Sequence, residues 1–179
     1  MEIVEGDAAA MDLTVWGDGI LAGNLPYYVA TSIISRYLRR PGGLRTGTFL
    51  IQEEVAARIT ARPGTREYGY FSVECQFLGR PEYLFRVPPG AFQPPPKVDS
   101  AVIRIAPQRR EDAVDAEAFL RFVSVCFRQK RKTLRNNLAA AYPREAIDSR
   151  PGLSRRAEEL PVEAFLELYR ALTAPAQAL

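Results

Sequence analysis

The stretch GILAGNLPYYVATSIISRYL, residues 19–38, decides the fold. Gly19-Ile20-Leu21-Ala22 is an apolar run of strand length, and Asn24-Leu25-Pro26-Tyr27 stops it. Thr31 or Ser32 then caps a predicted helix in which Ile33, Ile34, Tyr37 and Leu38 recur at helical spacing, and Pro41-Gly42-Gly43 ends it. A strand that turns into an amphipathic helix is the building unit of a parallel α/β sheet.

The alternation extends both ways. Upstream, Ile3-Val4 before Glu5-Gly6-Asp7 reads as a strand ending in a turn. Downstream, Thr48 to Ile51 reads as a strand leading into a helix from Glu53 to Ile59, with its acids at the positive end of the helix dipole. Tyr70 to Leu78 fits a helix, with strand as the alternative. Tyr83 to Val87 and Val98 to Ile105 read as strands joined by a proline-rich loop, able to form an antiparallel edge. Gln108 to Val114 is polar and reads as a linker. Beyond it Asp115 caps a long predicted helix to about Ala141, and Pro161 opens another through Leu172. The expected organisation is an α/β domain over residues 1–107 and a small all-helical domain over 108–179.

Composition narrows the chemistry. A chain of 179 residues, 47% hydrophobic and 25% charged, buries an ordinary core. No apolar run approaches membrane-span length, and the first residues lack the basic start of a signal peptide, so the expected location is the cytosol. Cys75 and Cys126 lie in apolar stretches and read as small buried hydrophobes. The absence of histidine excludes imidazole catalysis and the commonest zinc sites. The net charge of +3 leans toward an anionic partner, although arginine-rich usage also follows from genomic base composition. The only lysines are Lys97, Lys130 and Lys132.

Three segments carry chemistry. Asn24-Leu25-Pro26-Tyr27 sits at the carboxyl end of a strand, where open α/β sheets bind ligands. An amide oxygen and free carbonyls accept from an exocyclic amine, and a tyrosine stacks on a base; an ordinary Asn-x-Pro turn is the plain alternative. Phe92 with Gln93, Pro94-Pro95-Pro96 and Lys97 presents a ring beside a cation on a stiff polyproline segment. Such a loop clamps a base, merely connects strands, or serves as bait for an aromatic groove. Finally, Arg128, Arg131, Lys132 and Arg135 share one face of the predicted long helix at about 100° per residue, opposite Phe119, Phe122, Cys126 and Phe127. This is either a solvated face or a phosphate-contacting one.

Taken together, G-N-L-P-Y, then V-P-P-x-x-F-x-P-P-P-K-V-D-S-A-V, then F-x-Q-K-R-K-T-L-R-N-N-L resemble the ribosomal RNA adenine dimethyltransferases that modify two neighbouring adenines of small-subunit rRNA. The likeness runs from about Ile3 to Leu172. Related methyltransferases acting on large-subunit rRNA share the first motif, but the triple-proline loop and the Q-K-R-K-T-L-R-N run favour the small-subunit branch.

The resemblance implies a partial Rossmann-like methyltransferase sheet followed by a helical RNA-binding domain. It also implies a set of roles. Asn24 and the Leu25 carbonyl, held by Pro26, would accept from the target amine, and Tyr27 and Phe92 would sandwich the everted adenine. Asp7, with Ala8 beside it, would bind the adenine of S-adenosylmethionine, whose methyl Asn24 also faces. Lys97, Arg128, Lys130, Arg131, Lys132 and Arg135 would hold phosphates, while Asp99 would pin its loop. The expected partner is small-subunit rRNA or the immature small subunit, with no metal. The alternative is a non-catalytic RNA-binding or assembly factor.

The family's RNA-facing arm, its Gly-rich cofactor loop and its ribose-binding acid have no counterpart in this sequence. A shortened chain, a reading frame begun at an internal methionine, or a short form completed by another chain would each account for that. Without two further strands, Ile3-Val4 loses its neighbour and Ile20 to Ala22 exposes an apolar edge. The sequence therefore predicts weak or no binding of S-adenosylmethionine by this polypeptide alone, and titration calorimetry showing tight binding would refute it.

Overall fold

The computed structural model describes residues 3–8, 10–12, 15, 17–39, 42–108, 114–148 and 150–173. It divides into two compact units, residues 1–60 with 75–109 and residues 61–74 with 110–179.

The first unit is a four-stranded mixed sheet with helices. Its elements are β1 (Asp18–Asn24), α1 (Ala30–Arg39), β2 (Gly43–Gln52), α2 (Glu53–Thr60), the end of α3 (Tyr70–Leu78), β3 (Gly79–Val87) and β4 (Ser100–Pro107). The sheet order is β1-β2-β4-β3, with β1 parallel to β2 and β4 antiparallel to both β2 and β3. Alternate residues of the two central strands point inward: Phe49 and Ile51 from β2, Ala101, Ile103 and Ile105 from β4. Ile33, Ile34, Tyr37 and Leu38 of α1 and Val55, Ala56 and Ile59 of α2 are buried with them. Each large side chain so buried contributes roughly 1.5–3 kcal/mol. Tyr37 meets Phe49 edge-on at 5.6 Å and donates its hydroxyl to the Ile105 carbonyl at 3.2 Å. Gly47 makes room for that pair, since a Cβ there would lie 2.6 Å from the Phe49 ring.

Two expectations at the start of the chain need correction. Ile3 and Val4 form no strand and are 82% and 53% exposed. A strand needs a hydrogen-bonded neighbour, and among the described residues β1 is paired only with β2. Its Ile20 is 67% exposed, as anticipated for an apolar edge. Nor do Thr31 and Ser32 cap α1: the turn closed by Val29 N–H on the Pro26 carbonyl at 3.1 Å feeds the helix directly, and both residues lie in its first turn.

The second unit contains α4 (Ala116–Cys126), α5 (Leu134–Leu138), α6 (Arg144–Asp148) and α7 (Val162–Thr173). Rings knit its core: Phe119 and Phe122 stand 5.7 and 5.5 Å from Tyr169, and Phe127 stands 5.6 Å from Phe165. Tyr68, from the 61–74 segment, meets Phe127 at 6.4 Å. Burial pushes the Cys126 thiol up to about 12, so it remains a neutral core group. Most of the expected linker, residues 109–113, lies outside the described residues. Among the described residues, no helix is long and apolar enough to cross a membrane.

Asp115 caps α4 as expected, accepting from the N–H groups of Glu117 and Ala118. The long helix to Ala141 does not exist, however. α4 stops at Cys126, residues 127–132 form turns, and Thr133 caps α5 by accepting from Asn136 N–H. The break is built by buried Asn137, whose amide donates to the carbonyls of Cys126 at 2.7 Å and Gln129 at 3.2 Å and accepts from Gln129 N–H. A side chain that satisfies three backbone groups of a turn replaces the bonds a continuous helix would have made. Arg128, Lys130, Arg131 and Lys132 therefore lie on turns and only Arg135 is helical, so the single helical face expected for Arg128, Arg131, Lys132 and Arg135 is absent. Asn137→Ala strands those backbone groups and is expected to destabilise the protein by about 2–3 kcal/mol in urea unfolding. An unchanged midpoint would mean the turn holds without the amide.

Candidate functional site

Strand directions decide what can meet at the sheet. Because β1 and β2 are parallel while β4 opposes β2 and β3, the carboxyl ends of β1, β2 and β3 and the amino end of β4 open on one sheet edge. Asn24 lies opposite Leu50, and Gln52 and Val87 both lie opposite Ser100. The Asn24–Tyr27 segment and the 88–99 loop therefore leave the sheet at the same edge, although 60 residues separate them in sequence.

Asn24 ends β1 with its side chain exposed. Leu25 N–H donates to the Leu50 carbonyl at 3.1 Å and its side chain is buried, which fixes the chain as it leaves the strand. Pro26 then starts the turn into α1. Tyr27 is half-buried, and its hydroxyl shares a 2.6 Å hydrogen bond with Ser100 Oγ. Its neighbour Tyr28 is 88% exposed.

Phe92 follows a short 3-10 turn over Pro89–Ala91 and donates its N–H to the Pro89 carbonyl at 3.1 Å; its ring is half-buried. The far end of this loop is pinned. Asp99 takes Arg86 at 2.6 Å, and its carbonyl accepts from Glu53 N–H at 3.0 Å. Glu53 in turn accepts from the Tyr83 hydroxyl at 2.8 Å. The hydrogen bond to Asp99 holds the Arg86 guanidinium above its ordinary value, and desolvation followed by the bond to Glu53 raises Tyr83. Exposed Lys97 lines a hollow of about 440 Å³ together with Gln52, Glu53, Glu54, Val98 and Asp99.

Asp7 and Ala8 lie exposed in a turn on the amino-terminal side. The Asp7 carbonyl accepts from the N–H groups of residues 10 and 11, both at 2.9 Å, and Arg36 of α1 donates to the carbonyls of Ala10 and Met11. The turn is thereby tied to the helix that follows Tyr27.

The basic residues belong to the second unit, where the fold draws in partners that their spacing did not reveal. Lys130 Nζ donates to the Arg66 carbonyl at 3.0 Å, and Gly64 N–H donates to the Glu158 carbonyl at 2.7 Å. Thr133 bridges to Arg156, and Leu134 N–H donates to the Arg155 carbonyl at 2.9 Å. Segments around residues 66, 131 and 155 thus come together, with Arg155 and Arg156 added to the cations of the 128–135 run. Arg135 is paired with Asp148, and Arg155 with Glu159. Arg128, Arg131 and Lys132 are exposed and have no ion-pair partner among the described residues. Among the described residues, no group of three or more acids or cysteines is placed to hold a metal ion.

Residues 18–174 match the family described as ribosomal RNA adenine dimethylase. The chain is 39% identical over 173 residues to ribosomal RNA small subunit methyltransferase A of Chlorobium chlorochromatii (strain CaD3), covering 94% of this chain and 65% of that protein. To the protein of the same name from Chlorobaculum parvum it is 42% identical over 176 residues, covering 97% and 64%. It therefore spans a little less than two-thirds of the length of these curated relatives. Among solved structures it is similar to a dimethyladenosine transferase from Plasmodium falciparum, with a TM-score of 0.83 at 20% identity, covering 93% of this chain and 70% of that one. It is also similar to the 23S rRNA methyltransferase ErmE, with a TM-score of 0.71 at 26% identity, covering 96% and 71%. The expected α/β architecture, a partial Rossmann-like sheet followed by helices, is the one observed.

Proposed function

The chain belongs to the ribosomal RNA adenine dimethylase family, and from that premise we propose that it carries the target-base and RNA-holding portion of an enzyme that dimethylates two adjacent adenines of small-subunit rRNA. The observation that carries this reading is the shared sheet edge, where the exposed amide of Asn24 and the anchored ring of Tyr27 stand at the end of β1 and the Phe92 loop leaves the sheet beside them.

The chemistry asks mainly for position. Asn24 Oδ1 and the Leu25 carbonyl accept hydrogen bonds from the exocyclic amine and turn its lone pair outward. Pro26 and the bond from Leu25 N–H to Leu50 keep those acceptors from drifting. Tyr27 and Phe92 stack on the two faces of the extruded adenine, offsetting the loss of its neighbours in the RNA. The amine nitrogen loses its proton after attack, so no strong base is required, in keeping with a chain that has no histidine.

S-adenosylmethionine, when bound, supplies a methyl group on a sulfonium that leaves readily. The residues present fit part of such a ligand. Asp7 is an exposed carboxylate able to accept from an adenine amino group, Ala8 offers a backbone N–H beside it, and Arg36 holds their turn against α1. Asn24 stands exposed at the carboxyl end of β1.

Lys97 and the cations Arg128, Lys130, Arg131, Lys132 and Arg135, joined by Arg155 and Arg156, hold phosphates in this reading. The helical RNA-binding portion corresponds to residues 108–179, and the substrate is rRNA within the immature small subunit in the cytoplasm. Phosphate contacts of this kind position the RNA without reading its sequence.

Two measurements test the assignment. Asn24→Ala is expected to lower methyl incorporation into small-subunit rRNA by at least about 100-fold with an unchanged unfolding midpoint; wild-type incorporation would refute the role of the amide. Arg131→Ala and Lys132→Ala are each expected to weaken RNA binding irrespective of sequence and to reduce the slope of log affinity against log salt by about 1. A slope that neither substitution moves would remove this surface from the interface.

A further inference from the structure

We infer that Ser100 is a positioning residue for the base-stacking ring, acting through the hydroxyl of Tyr27; the inference rests on the reading of Tyr27 as that ring. Ser100 opens β4, the strand flanked on both sides, and pairs with Gln52 of β2 and with Val87 of β3. Its side chain is fully buried. A hydroxyl at such a place is unfavourable unless bonded, and its partner is Tyr27, 2.6 Å away across 73 residues of sequence.

The geometry of this tether matters more than its strength. A tyrosine on a turn rotates about two side-chain torsions, and fixing the Cα alone leaves the plane of the ring undetermined. A bond at the para hydroxyl fixes the position of the ring's far end and with it the inner torsion, and the preference of a phenolic O–H for the ring plane then ties the outer torsion to the direction of Ser100 Oγ. Because a phenolic hydrogen bond lies near the ring plane, it leaves both ring faces clear for an aromatic base. Stacking then demands little further ordering of the ring.

The same serine closes the loop that carries Phe92. Val87 and Ser100 are paired at its base, and the preceding residue, Asp99, is held by Arg86 and Glu53. Ser100 therefore references the Tyr27 ring to the rigid strand from which the Phe92 loop is suspended, linking the two stacking elements through one buried post.

The test uses the full chain with small-subunit rRNA as acceptor and S-adenosylmethionine as donor, comparing Ser100→Ala, Ser100→Thr, Tyr27→Phe and the Ser100→Ala/Tyr27→Phe double variant. Losing the tether is expected to lower kcat about tenfold in Ser100→Ala and in Tyr27→Phe while the KM for RNA stays within about twofold. The double variant is expected to be no slower than either single one, and Ser100→Thr, which keeps a hydroxyl, to recover most of the rate. A Ser100→Ala protein at full rate, or losses that multiply in the double variant, would overturn the inference. A second readout needs no turnover: in protein labelled with 3-fluorotyrosine, the fluorine signal of Tyr27, assigned through Tyr27→Phe, shifts and broadens in Ser100→Ala. A Tyr27 signal indifferent to Ser100 refutes the tether. Because the chain is read as the target-base and RNA-holding portion, the fluorine signal decides whether Ser100 holds the ring even where the unaltered protein transfers no methyl group; failure of the unaltered protein to bind small-subunit rRNA would instead refute the proposed function.

Discussion

The pairing of β4 between β2 and β3 is the constraint on which the site depends. A strand inserted antiparallel between two others brings its own start to the ends of both neighbours, and that start is Ser100. β1, parallel to β2, ends at the same edge with Asn24 opposite Leu50. The meeting of Asn24, Tyr27 and the base of the Phe92 loop is thus a consequence of strand direction and register, not of contacts between the functional side chains. A one-residue slip of β4 would turn Ser100 to the other face of the sheet and carry Ala101, Ile103 and Ile105 out of the core with it. Packing of the core and placement of the site are therefore specified by the same register.

Much of this was legible in the sequence because the relevant signals are local. Apolar runs of strand length, the helical recurrence of Ile33, Ile34, Tyr37 and Leu38, and the acids opening α2 each declare an element without reference to the rest of the chain. The proline-rich stretch between two β-type runs likewise announced the β3–β4 loop. The failures occurred where a distant group decides. Ile3-Val4 has strand composition, but composition supplies no hydrogen-bonded neighbour. Residues 115–141 have helical composition, but Asn137 takes over the backbone groups near residues 126 and 129. Thr133 was the available warning: a residue that caps well in the middle of an apolar-periodic run marks a possible second start.

The residues of the proposed site divide along the same line. Motif order singled out Asn24, Tyr27, Phe92 and the basic run, since each belongs to a contiguous segment. Ser100, Arg86, Arg155 and Arg156 escaped, because their relevance comes from contacts across 73 residues or from a strand bridge. Electrostatic weight within the basic run was equally hidden. The sequence presents Arg131, Lys132 and Arg135 as equivalents, whereas Asp148 neutralises Arg135 and leaves the other two facing solvent.

Under the proposed function, a site assembled this way would work by geometry held at a strand edge, and its charges are compatible with that role. No histidine exists in the chain to change state near neutrality. The groups that brace the Phe92 loop are moved away from neutrality, Tyr83 upward by desolvation and Arg86 upward by its bond to Asp99. At neutral pH Tyr83 therefore stays neutral and Arg86 stays charged, so these two braces of the loop keep one state. In the proposed reading an acceptor amide, a tethered ring and a pinned loop need only remain where the sheet puts them, which is why the buried hydroxyl of Ser100 would matter as much to this architecture as the half-buried ring it holds.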